Sequence, residues 1–76
     1  MNKARRKELE RVFSTIEQLM VDVDQVATEE QDAFDGTPEG LKQGERGQKT
    51  EENVTALTQA RDYLESALND IEEAKS

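Results

Sequence analysis

Eighteen carboxylates are the most abundant chemical groups in this 76-residue chain, and their spacing decides what they could do. Asp22 and Asp24 stand two apart, so on a helix they diverge and cannot share a proton or an ion. Glu29, Glu30 and Asp32 precede a loop, DGTPEGLKQG over residues 35–44, that lacks the Asp-x-Asp-x-Asp-Gly spacing of an oxygen-ligand calcium site. These acids read as a solvated face. The chain has no Cys, no His and no Trp, so thiolate, imidazole and Cys/His zinc chemistry are ruled out, as are the Glu-x-x-His pairs of di-iron bundles. Tyr63 could serve as a general acid, but with no partner base in the sequence pattern it reads better as an amphipathic interface residue. The expectation is a non-enzymatic protein with no catalytic, metal or cofactor-binding residues.

The basic cluster Lys3, Arg5, Arg6 and Lys7 resembles a nucleic-acid or membrane patch, yet the whole chain carries a net charge of −8. Its acids would repel phosphates, which argues against nucleic-acid binding as a function. The opposite reading, an acidic rod that mimics nucleic acid in another protein's binding groove, stays open. No apolar run approaches the roughly 18 residues of a membrane span, and the N-terminal segment MNKARRKELER has no apolar stretch of signal-peptide type. A cytoplasmic location without membrane attachment is the expectation.

Positioning falls to two helices. Leu9, Phe13, Ile16, Met20, Val23 and Ala27 are spaced 4, 3, 4, 3, 4, a heptad seam. With Leu9, Ile16 and Val23 as lane d and Phe13, Met20, Ala27 and Phe34 as lane a, a third apolar lane falls at g: Val12, Leu19, Val26 and Ala33. The second half places Leu57, Leu64 and Ile71 at a, Ala60, Ala67 and Ala74 at d, and Val54 and Leu68 at e with Arg61 between them. The pattern predicts helix 1 over about residues 3–34, a loop over 35–44 and helix 2 over 45–75. Gly36 suits a left-handed C-cap, and Thr37-Pro38-Glu39 suits the start of a single helical turn with Thr37 as N-cap.

The fold class expected is all-α, an antiparallel two-helix coiled-coil hairpin that pairs into a four-helix bundle. Folding back near residue 40 pairs residues whose numbers total about 80, setting large helix 1 residues against the alanines of lane d. Charge supports the same orientation. Residues 1–11 carry five bases and two acids, residues 12–40 eight acids and no base, residues 41–50 three bases and one acid, and residues 51–76 seven acids and two bases. An antiparallel pair puts the basic start beside Asp70, Glu72 and Glu73, and the basic patch at 42–49 beside Glu29, Glu30 and Asp32.

One seam is little core for a chain this short. The remaining apolar residues, Val12, Leu19, Val26 and Ala33 with Ala56 and Tyr63, predict an association face on one flank, opposite a charged flank of Glu10, Glu17, Asp24 and Arg61. Its occupant would be a second copy, giving a homodimer, or another protein. At the tip, Phe34, Pro38, Leu41 and Arg46 predict a packed cap in which Leu41 folds back on Phe34 and Arg46 pairs with a helix 1 acid.

The segments KARRKELE at 3–10 and EEQDAFDGTPEGLKQGERGQKTEENVTAL at 29–57, with the tail ALNDIEEA, resemble small uncharacterised acidic helical-hairpin proteins encoded in prophages and mobile elements of Gram-positive bacteria. The specific part is Glu30, Gln31, Phe34, Asp35, Pro38, Glu39, Leu41, Gln43, Glu45 and Arg46. Gly36 and Gly40 replace the Asn usual there, and Gly47 a larger residue. The resemblance implies a phage-type accessory protein that binds and modulates a host or phage protein through a helical face. A self-assembling structural bundle is the alternative.

Overall fold

Asn2 starts the first helix by a local hydrogen bond: its side-chain oxygen accepts from the Arg5 backbone N–H at 2.8 Å, satisfying one of the first-turn donors that have no intrahelical partner. From there no Pro or Gly interrupts the chain until residue 36. In the computed structural model, which describes residues 1–76, α1 spans Lys3–Asp35, a single turn α2 spans Glu39–Lys42, and α3 spans Glu45–Lys75. The protein is all-helical.

The first turn boundary differs from expectation. Gly36 is right-handed, with φ −78° and ψ −6°, and no glycine has positive φ. A left-handed cap is unnecessary because other groups satisfy the last carbonyls: Gly36 N–H donates to Asp32 O at 2.9 Å, and the Thr37 hydroxyl donates to Ala33 O at 2.9 Å. Thr37 thus closes α1, and Pro38 takes the N-cap position of α2, with φ −56° and ψ 142°. The Pro38 carbonyl accepts from Leu41 and Lys42 N–H.

The long helices pack side by side in a rod of 58 × 14 × 13 Å. Its radius of gyration is 17.3 Å, where a compact chain of this length would have about 11 Å. Cross-helix contacts fix the alignment. Arg6 Nε donates to Lys75 O at 3.1 Å, Arg61 Nε to Asp24 Oδ2 at 3.4 Å, and Asn53 Nδ2 to Glu30 Oε2 at 3.4 Å, while the Lys75 ammonium sits 4.7 Å from the Phe13 ring centre. These pairs total 81, 85, 83 and 88, a level near 84 rather than 80.

The shift has a packing cause. On α1 the half-buried residues are the expected a and d lanes, Leu9 through Phe34, joined only by Val12 of lane g. On α3 the inner face is centred on lane a and leans to e: Val54, Leu57, Arg61, Leu64, Leu68, Ile71 and Lys75 are covered, whereas Ala60 and Ala74 are exposed. Leu68, 8% exposed, is the only buried apolar residue. Turning the e lane inward covers one Leu, one Val and the aliphatic stems of Arg61 and Lys75, more apolar area than three alanines offer.

The ion pairs also fall differently. Arg61 to Asp24 is the one cross-helix pair; the rest join neighbours within a helix, such as Arg11–Glu8 at 2.6 Å. The basic start of α1 reaches the C-terminal end of α3 through the Lys75 carbonyl, where a cation is favoured by the helix dipole, rather than through Asp70, Glu72 or Glu73.

Candidate association face

Lane g of α1 lies roughly 90° round from the centre of its inner face, so its residues flank the seam rather than fill it. Val12 is half-buried, Leu19 and Val26 are 47% and 48% exposed, and Ala33 is exposed. Lane g of α3 lies further round, roughly 130° from that helix's inner face. Ala56 is exposed there, and Tyr63, 67% exposed, accepts a hydrogen bond from Gln59 Nε2 at 3.1 Å. The lean of α3 therefore separates Tyr63 and Ala56 from Leu19 and Val26. In their place the alanine lane, Ala60, Ala67 and Ala74, comes to the edge of the seam beside the α1 g lane. The flank is a ridge of branched side chains next to a row of alanines.

The opposite flank carries Glu17, Asp24 and Arg61, as expected, but also Val21, 58% exposed, and the rim of Leu68. Arg61 binds Glu65 at 2.9 Å, Asp24 at 3.4 Å and Asp62 at 3.6 Å. Glu65 first, then Asp24, hold its guanidinium more firmly protonated than usual.

At the tip, the cap residues are only partly brought together. Phe34 is half-buried, and the group above its ring is Lys42, whose ammonium lies 5.4 Å from the ring centre and 3.1 Å from Glu39. Leu41 is 63% exposed and does not fold back as expected. Adjacent helical residues point about 100° apart, so α2 can turn Lys42 or Leu41 toward Phe34, not both. Pro38 is exposed, and Arg46 is exposed with no ion pair, contrary to the pairing expected with an α1 acid. Arg46 sits in the first turn of α3, on the rim of an open notch at the tip.

Sequence reasoning missed the packing roles of Gly47, Lys42 and Lys75 and one polar pair. Gly47 is buried, and a Cβ there would overlap the Lys42 carbonyl and lie 2.8 Å from Lys42 Cα, so α2 packs directly on the α3 backbone. A Gly inside an unbroken helical pattern was the available signal. Lys42 and Lys75, with side chains 20% and 18% exposed, each cover a Phe at one end of the seam, each held by a Glu three residues earlier at 3.1 and 3.2 Å. The Asn53–Glu30 pair adds a polar link inside the seam.

No group of three His, Cys, Asp or Glu side chains converges as a metal site, and no buried side-chain polar atom lacks a partner. The widest cleft, about 680 Å³, is an open notch at the tip lined by Ala33, Pro38, Leu41, Gly44 and Arg46 among others. No helix is long and apolar enough to cross a membrane. The chain matches no protein-family model, and no curated protein or solved structure matches it.

Proposed function

We propose that the chain is a non-enzymatic protein-binding module: an antiparallel helical hairpin that docks on another helical surface through the flank carrying Leu19 and Val26. One observation carries this reading. A rod of 76 residues buries a single apolar side chain, Leu68, while leaving two branched residues of one heptad lane half exposed. Apolar side chains held in a regular row at the edge of a seam gain from being covered. In the accessory reading, in keeping with the resemblance to prophage-encoded proteins, the covering surface belongs to a host or phage protein whose activity is modulated. In the assembly reading it belongs to a second copy, making a four-helix bundle. Mimicry of nucleic acid by the acidic surface is less well supported, since the acids are spread along the rod and several are tied to neighbouring bases.

The test is retention on immobilised protein. Wild-type protein is expected to hold a stoichiometric partner that Leu19→Glu loses and Glu17→Gln keeps. Equal retention by all three would overturn docking through this flank.

A further inference from the structure

We infer that the flank is covered by a second copy of the chain, with the two-fold axis parallel to the rod, so that the α1 ridge of each copy lies in the alanine row of the other's α3. This rests on the docking reading above and specifies its occupant.

The area fits. The chain exposes 5770 Å², whereas a compact protein of 8.6 kDa exposes about 4,700 Å². The excess belongs to the elongated shape, and one flank running the 58 Å length of a rod 14 Å wide has room for the roughly 800 Å² that each partner buries in a stable complex. A partner as long as the rod itself is needed to cover it, and a second copy has that length.

The shape fits better still. Residues on the two helices are level when their numbers total about 84, as the cross-helix contacts show. Leu19 and Ala67, Val26 and Ala60, Val12 and Ala74 each total 86, two residues from level. Both lanes repeat every seven residues, so the offset stays constant along the whole flank. A half-turn about the rod axis swaps α1 for α3 without changing height. It therefore sets Val12 opposite Ala74, Leu19 opposite Ala67 and Val26 opposite Ala60 of the second copy, large against small at three successive steps, before the flank ends toward the tip at Ala33 and Asn53. A two-fold axis across the rod would instead set α1 against α1, ridge on ridge. The surface is self-complementary only under the first operation.

Charge sets the sign of the salt effect. Each copy carries −8, so added salt should tighten the pair by screening repulsion, where it would weaken docking on a basic partner.

The chain has no Cys, so single cysteines report the geometry directly. Val26→Cys mixed with Ala60→Cys in a glutathione redox buffer should give a cross-linked dimer, while Leu19→Cys alone should not. In sedimentation equilibrium the wild type should be a dimer whose dissociation constant falls with salt. Leu19→Glu should raise that constant about a hundredfold or more, since two carboxylates would be buried without partners. Self-cross-linking of Leu19→Cys would overturn the axis, and a wild-type monomer would overturn the second copy. In the monomer case, loss of a captured protein by Leu19→Glu would leave the docking reading standing. Loss of neither would end both.

Discussion

A methyl group on residue 47 has nowhere to go. Ala is a better helix former than Gly by about 1 kcal/mol, so Gly47→Ala would stabilise α3 at an open site. Here the added Cβ meets the Lys42 backbone, which cannot rotate away as a side chain can. The expected outcome is a net loss of about 1–3 kcal/mol, read as a lower denaturation midpoint. A second residue-scale expectation concerns Leu68. Leu68→Ala should cost about 2 kcal/mol, at the low end for a core Leu because the seam is thin. In the Leu19→Glu background, where no second copy covers it, Ala60→Thr at an exposed α3 position should cost no more than about 0.7 kcal/mol, the range that helix propensity allows. Equal effects in chemical denaturation would refute the lean of α3 toward its e lane.

Glu8 gives the pH expectation. Its hydrogen bond and charge pairing with Arg11 hold the carboxyl below its ordinary 4.5. The folded value is thus lower than the unfolded one. The pair supports the start of α1 in full above the ordinary carboxylate pKa, and that support fades as pH falls through the lowered value. The Glu8 titration followed by NMR should move up toward 4.5 in Arg11→Gln.

At the scale of the elements, the all-helical reading with two long helices holds, and the reasons for the exceptions are local. Helix limits were readable because Pro38 and three of the four glycines sit in one decade of sequence, and the α1 seam because its lanes hold large residues. The α3 face was not. Alanines at d and one Leu at e weigh similarly in a pattern count, and only buried area tells them apart; Arg61 and Lys75 on that lane look polar although their stems pack. The tip was misread for the same reason: Lys42, not the apolar Leu41, covers Phe34. Of the residues expected on one flank, Leu19 and Val26 stay exposed beside the seam, while Ala56 and Tyr63 lie further round α3, since the lean of that helix carries a whole lane away. A test at this scale follows from the two Lys–Phe lids. Lys75→Met keeps the stem over Phe13 but removes the cation, and should cost about 0.5–1 kcal/mol. Lys75→Ala should cost more and speed amide exchange in the turns around Phe13 while leaving those near Phe34 unchanged.

Across the whole molecule, the balance of buried and exposed surface makes stability depend on company. A rod with one buried apolar residue has little reserve of its own. Anything that covers the flank of the folded chain adds stability by mass action, so the wild-type melting temperature should rise with protein concentration. Leu19→Glu should melt at the same temperature at every concentration. A concentration-independent wild-type melt would show that the single chain stands alone and would direct attention to other partners for Leu19 and Val26.

The contact of Arg6 with the Lys75 carbonyl has a mechanical consequence. It holds the two ends of the chain together at one end of the rod, with the tip at the other. Tension applied through the termini therefore peels the helices apart one turn at a time, never loading the whole seam at once. Resistance comes in sequence: first the Lys75 lid over Phe13, then Leu68, then the Arg61 to Asp24 pair near the middle, and last the Asn53 to Glu30 link before the tip. The same arrangement sends anything fused to both termini off in one direction, leaving the tip and both flanks clear.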